Sequence, residues 1–411
     1  MRWNFYMFLT DYVWFGVAFT FFSPDTVVPG LVRQLIDSAL AIGLVSAIFR
    51  IGWLLPQLAV ARAINDKPRK MPYLLLGLIG RIAFFLVALI LQSKLPHYPA
   101  MLILCTVCFV FFTSFDALAG VAWFDIMARA IPPKMRGRMF GIGQAISGLI
   151  GIGAGALIKL ILEHGSFPDN YAVIFALAGL MLIPSSIGII LVREPPPDVT
   201  GEREEHQKTG SWTKRLMANP DYRQLTICRI LIGMMALATP FYVAHARTVL
   251  QLPESAIGDF IIAQTITGVV ASAVLGVVHE RQGPRAVIRI GAAAATVAPI
   301  FALAAHLAGG GWLARTYPVV FVSLGIANAT WIMGFFNYVL EIAPDTMRAA
   351  YVGTINSIVW PLTLASVVGG WLLETTSYTV LFIATAVFVG ASFLLSLGLR
   401  SSRPTTMEGK L

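Results

Sequence analysis

Twelve apolar runs of 22–30 residues, separated by short polar intervals, decide what this chain can fold into. They cover 4–30, 39–62, 72–93, 98–127, 138–162, 170–193, 222–248, 255–279, 285–308, 316–341, 349–374 and 377–399. A bilayer's hydrocarbon core is crossed by a helix of about 20 apolar residues. Lipid offers no partner to a free peptide group, so runs of this length are expected to be helices. A transmembrane strand would be about ten residues of alternating polarity, and no such alternation is present. Only 12% of the residues are charged and 57% are hydrophobic, with a mean hydropathy of +0.76. A soluble domain carries about 25% charge. The expected fold is an all-α integral membrane protein of twelve helices.

The charges fix an orientation. With the N-terminus in the cytoplasm, twenty-two of the thirty Lys and Arg residues fall in cytoplasmic loops and termini, and five on the opposite side. The positive-inside rule then places both termini in the cytoplasm. A basic face beside anionic lipid accounts for the net charge of +9 without a nucleic-acid partner. The first run carries Asp11 and Asp25 and no small-residue cleavage site, so it is expected to stay as an uncleaved helix. The expected location is the cell (inner) membrane. Cys105 and Cys108 form C-x-x-C inside an apolar run, with no further ligand at metal spacing. Packing is their expected use, and no metal or cofactor is expected.

Residues 194–221 differ from the rest. They begin with three prolines after Glu194, which stop the sixth helix, and are polar enough to read as a cytoplasmic linker. Within it "SWTKRLM" (211–217) has the pattern of a short surface helix. The linker divides the chain into bundles at 1–193 and 222–399, with a tail at 400–411. The halves echo each other. "IPPKMRGRMFG" at 131–141 returns as "APDTMRAAYVG" at 343–353, with Pro132, Met135, Arg136 and Gly141 opposite Pro344, Met347, Arg348 and Gly353. "NDKPRK" at 65–70 corresponds to "HERQGPR" at 279–285, with Asp66 opposite Glu280. Two such echoes in corresponding loops indicate a parallel duplication of a six-helix unit.

With these loops the chain resembles the major facilitator superfamily of secondary transporters over essentially its whole length. The family's motif between the second and third helices of each half runs roughly G-x-x-x-D-R-x-G-R-R/K. Here the second half supplies Gly276, Glu280, Arg281, Gly283 and Arg285, with Glu in place of Asp. The first half has Arg62 at the leading Gly and keeps Asp66, Lys67, Arg69 and Lys70 in a loop one residue shorter. The resemblance implies two six-helix bundles around a central cavity, and alternating access for a small-molecule substrate. Glu280, Arg281 and Arg285, Asp66 and Lys70, with Arg136 and Arg348 nearby, are expected to close the cytoplasmic side. The drug-exchanger pattern is missing: the fourth helix has no buried Arg and the fifth no Gly-Pro pair. Gly151-x-x-x-Gly155 on the fifth suits close helix approach.

In the family the first, fourth, seventh and tenth helices line the cavity. The candidate contacts there are Asp11, Trp14 and Asp25; Asp116 and Trp123; Arg229 and Tyr242; and Asn328, Trp331, Asn337 and Glu341. Asp11 and Asp25 share one helical face with Phe15, Ala18 and Phe22. At about 1.5 Å per residue, Asp11, Arg81, Asp116 and Arg50 lie roughly 10, 14, 16 and 18 Å from the cytoplasmic ends of their spans. Charges at such depth pair or line a wet path. Asp11 and Asp116 are therefore expected to pair with Arg50 and Arg81, one Asp exchanging a proton during transport. The alternative is a permanent salt bridge.

No P-loop, H-E-x-x-H or G-x-S-x-G appears in a suitable setting, and no enzyme activity is expected. An intramembrane enzyme is the least favoured class, because His206, His245, His279 and His306 do not fall at one depth. A non-transporting scaffold or assembly factor of the same fold is the other alternative. The chain is expected to act as a monomer.

Overall fold

The computed structural model describes residues 2–64, 67, 69–196, 216–309, 311–343 and 348–400. Among them there is no strand. Ten helical stretches are long and apolar enough to cross a bilayer. They are the third span (Met71–Gln92), fourth (Tyr98–Ala130), fifth (Met135–His164), sixth (Asp169–Ile190), seventh (Pro220–Thr248), eighth (Ala256–Gln282), ninth (Pro284–Leu307), tenth (Pro318–Ile342), eleventh (Thr354–Thr375) and twelfth (Tyr378–Leu397). The second, Ala39–Ile64, has 26 residues. The surface helix expected at 211–217 lies mostly outside the described residues.

The first span corrects the expectation of one continuous helix over 4–30. It consists of two helices, Arg2–Phe21 and Val27–Leu35, with a turn between them. Pro24 lacks an amide proton and clashes with the preceding turn, so a helix cannot run through it undisturbed. Ser23 accepts from the amides of Thr26 and Val28 and closes the turn. Phe22 locks the break in place by stacking on Phe84 at 4.3 Å, within an aromatic core that includes Phe49 and Phe112. The seventh span breaks at the matching point. Helix Pro220–Gly233 tightens into a 3-10 stretch, Met234–Leu237, turns at Thr239-Pro240 and resumes as Phe241–Thr248. Ser23-Pro24 and Thr239-Pro240 are a third echo between the halves.

Helices pack mainly within their own half. The first lies on the fifth and sixth, the second on the fourth, the ninth on the tenth and twelfth, the tenth on the eighth. The largest crossings between halves are the fifth with the eighth and the second with the eleventh, and Val27–Leu35 also touches Phe241–Thr248. The N-terminus and the loops after even-numbered spans share one side of the molecule, termed the near side. The other is the far side.

The cross-half contacts gather on the far side. Lys159 donates to Asp259 at 2.9 Å, Gln34 to Glu254 at 2.8 Å, and Ser38 to Glu374 at 2.5 Å. Ser366 Oγ donates to the Gly43 carbonyl at 3.0 Å. Gly155 and Gly258 let the fifth and eighth spans touch: a Cβ on Gly258 would sit 2.6 Å from the Gly155 carbonyl oxygen. Toward the near side Gly141 and Gly276 face open space. Among the described residues, the halves are bonded to each other on the far side.

Candidate functional site

Four spans of the first half converge on Asp11, which is 5% exposed. Its carboxylate takes Arg81 Nη2 at 3.2 Å, Ser185 Oγ at 2.5 Å and Trp123 Nε1 at 2.8 Å. Arg81 also donates to Ser185 and Ser186 at 2.9 and 2.8 Å. Gly188 makes room for this: a side chain there would strike the Met7 carbonyl and the Asp11 amide of the first span. Asp11 is thus saturated. Asp116, two turns from Trp123 on the same face of the fourth span, lies within electrostatic reach of Arg81 and Asp11. It is only half-buried and, among the described residues, accepts no hydrogen bond.

The depth match is borne out for Asp11 with Arg81 and corrected for Arg50. Arg50 Nη2 binds Asp25 at 2.7 Å, and neither Asp11 nor Asp116. The break in the first span is the reason, since Asp25 sits in the turn, where it meets the second span.

In the second half Arg229 has no counter-ion among the described residues. Its guanidinium lies over Trp331 at 3.5 Å and near Phe335 at 5.3 Å. Its Nε is buried without a partner. The tenth span widens into a π-helix over Trp331–Phe336, a distortion frequent at functional sites, and carries both rings. Trp331 and Asn328, three residues apart, are exposed. Trp331 meets the seventh span, so it faces the interior of the bundle. Asn337 is occupied by the Met333 carbonyl, and Glu341 is exposed at the near end.

Tyr242, an expected cavity residue, is instead part of a buried cluster. His245 is fully buried; it contacts His306 at 3.2 Å and the Tyr317 hydroxyl at 3.0 Å. Tyr317 donates to the Tyr242 carbonyl, so it accepts from His245 Nδ1–H, which leaves His245 Nε2 to accept from His306. His245 and His306 meet because both lie near the far ends of the seventh and ninth spans, whereas His279 lies at the near end of the eighth.

On the near side, Gly283 has φ 78° and ψ 176°, a conformation open only to glycine. It turns the chain between the eighth and ninth spans, with Glu280 and Arg281 exposed beside it. Asp66 and the side chain of Arg348 lie outside the described residues. Arg136 folds back onto the carbonyls of Ile131 and Ala128. Lys70 is buried, and its amide donates to Glu194 at 2.7 Å.

Glu194, which the sequence marked only as the start of the linker, is a hub. It also accepts from the Met71 amide at 3.1 Å and Arg129 Nη2 at 3.0 Å. Burial pushes its carboxyl upward, but the hydrogen bonds from Lys70, Arg129 and Met71 outweigh it and hold the group below the ordinary 4.5. Glu194→Gln is expected to cost about 1–3 kcal/mol, the penalty for leaving buried donors poorly paired. A group lowered on folding contributes stability above its unfolded value and loses it as pH falls through the folded one. Thermal melts should therefore separate mutant from wild type at pH 7 and converge as pH drops below the carboxylate range. Equal melting temperatures at pH 7 would deny Glu194 this role.

The far side holds a cavity of about 210 Å³ between Gly30, Arg33, Gln34, Val243, Ala244, Arg247 and Thr248. It lies between the two short helices that follow the breaks. Arg33 is paired with Asp37, and Arg247 donates to the Leu252 carbonyl.

The family model of the Major Facilitator Superfamily matches residues 13–363. Solved structures are similar over nearly the whole chain. The inward-facing state of a bacterial homologue of the iron transporter ferroportin has a TM-score of 0.72 at 12% identity, covering 96% of this chain and 98% of that one. The outward-facing state of a bacterial ferroportin homologue gives 0.60 at 14%, covering 96% and 99%. The xylose transporter XylE from E. coli, in a partially occluded inward-open conformation, gives 0.68 at 13%, covering 99% and 100%. These are likenesses of fold. No curated protein matches the sequence.

Proposed function

The chain belongs to the Major Facilitator Superfamily, and on that premise we propose that it is a secondary transporter of a small organic anion. The observation that carries the anion is Arg229. A lone cation at mid-membrane costs about 2.5–3.5 kcal/mol on the insertion scale. It persists here on an aromatic face, worth about 0.5–2 kcal/mol, with no acid to neutralise it among the described residues. A carboxylate or phosphate would complete it, and Trp331 offers the organic part a ring to lie on.

Residues 1–193 and 222–399 are the two moving bundles, joined by 194–221, and the near side faces the cytoplasm. Alternating access exchanges the far-side seal for a near-side one. There Asp66, Lys70, Arg136, Glu280, Arg281, Arg285 and Arg348 would form the seal. Asp116 is the proton site: its neighbours carry charge, yet its own oxygens remain free to titrate. Asp11 is the anchor of the bundle.

The test is counterflow into sealed vesicles. Vesicles preloaded with a mixture of organic anions should exchange labelled anions and not organic cations, and acid outside should drive net uptake. Asp116→Asn should keep exchange and lose the response to the pH gradient. Exchange of cations alone would refute the anion. Normal pH-driven uptake by Asp116→Asn would refute the proton site.

A further inference from the structure

Buried polar atoms without a hydrogen-bond partner are rare in folded proteins, and here they gather. Among the described residues they are Thr26 Oγ1, Ser46 Oγ, Arg50 Nη1, Arg229 Nε and His279 Nδ1. Three of the five flank the Asp25–Arg50 pair along the first and second spans. Thr26 follows Asp25 in the break of the first span, and Asp25 holds Arg50 through Nη2, leaving Nη1 unused. Ser46 lies one turn from Arg50 on the same face of the second span. Thr26 and Ser46 are both fully buried. Thr26 stands at the N-cap of Val27–Leu35, where Thr normally bonds an amide of the first turn, yet its hydroxyl makes no such bond. Two hydroxyls and one guanidinium N–H group beside the break are thus buried without a partner among the described residues.

Contacts with the eleventh span set the height of this place. Gly43 meets Ser366, and Gly370 meets Ala39. That antiparallel register brings Arg50 level with Val359. Gly233 meets Leu362, and Gly369 meets Leu237. That parallel register puts Arg229 level with residues 358–361. The two guanidiniums, one in each half, stand within about one turn of the same depth. Each has a buried nitrogen to offer.

We infer that the transported anion is doubly charged, a dicarboxylate or a phosphate-bearing acid that spans the halves. One charge lies on Arg229 and Trp331. The other is taken by Arg50 Nη1 with the hydroxyls of Thr26 and Ser46, while Asp25 keeps Nη2 and so fixes the guanidinium plane. The assignment rests on the anion reading above and adds the second contact. A ligand held from both sides draws the bundles together only when both ends are engaged. A monoanion, held at Arg229 alone, should bind less tightly.

The experiment compares succinate and glycerol 3-phosphate with lactate, by thermal shift and by counterflow. Both dianions should stabilise the wild type more than lactate at equal concentration. Arg50→Gln should weaken dianion binding about 10- to 100-fold, as loss of a charged hydrogen bond does, and leave lactate unchanged. Arg229→Gln should weaken both classes. Thr26→Val with Ser46→Ala keeps the Asp25–Arg50 pair and most of the packing, and should lower dianion affinity about 3- to 10-fold. That variant decides the matter if Arg50→Gln does not fold. If the dianion-to-lactate ratio is unchanged in both variants, the break holds water only and the inference is overturned. If no anion of either class binds the wild type, the anion reading itself fails.

Discussion

Replacing Arg229 with Gln is expected to make the protein more stable and to stop it working. The two effects have one cause. A guanidinium without a counter-ion is a burden on the fold, and removing a cation at mid-membrane returns about 1–3 kcal/mol, since the site is only half-buried. In the function proposed above the same cation anchors the cargo, and losing it should cut transport efficiency about 100-fold or more, from charge-assisted hydrogen bonds of about 1.5–3 kcal/mol each. Arg229→Lys keeps the charge but loses the planar fork and the ring stacking, so it should fall between. Trp331→Leu should cost about 3- to 30-fold through the lost cation–π contact. Melting temperature and counterflow, measured on the same preparations, check this. If stability and transport fall together in Arg229→Gln, the residue is a structural element and the anion site lies elsewhere.

Gly258→Val should drive the protein out of the conformation described. The new Cβ would press on the backbone oxygen of Gly155 and on Lys159, and backbone cannot move aside as a side chain can. Overpacking of this kind costs about 1–3 kcal/mol, and it falls only on the state in which the fifth and eighth spans touch. The population should shift about 5- to 150-fold toward the far-side-open state. A cysteine introduced as Gln34→Cys, half-buried here beside Glu254, should become more reactive to an impermeant maleimide. The native Cys105, Cys108 and Cys228 are buried and give no background. Unchanged labelling and unchanged transport would show that the glycine contact does not hold the far side shut.

Both predictions lean on features of unequal visibility in the sequence. The spans were legible because lipid imposes length and apolarity on every helix that crosses it. The Asp11–Arg81 pair was legible because depth can be counted along a straight helix. Arg50 was misassigned by the same counting, which carried Asp25 past the turn as if the helix continued. Hydropathy is blind to backbone direction, so Phe22 and Val27 score alike on either side of a break. The available signal was Ser23-Pro24 with Thr239-Pro240, two prolines at matching depth. The lone state of Arg229 could not be read at all, because an absent counter-ion is a property of packing. Glu194 was hidden too: its partners come from two distant stretches of chain, Lys70–Met71 and Arg129.

The paired breaks also bear on how large a cargo can be. Val27–Leu35 and Phe241–Thr248 have 9 and 8 residues, or plugs about 12–14 Å long at 1.5 Å per residue. They stand against each other across the far side and are jointed at their inner ends. Tilting one plug on its joint clears an aperture one helix wide, about 10 Å, while the long segments stay in place. Under the transport function proposed above, that width sets the cross-section of a cargo that could pass with only one plug displaced.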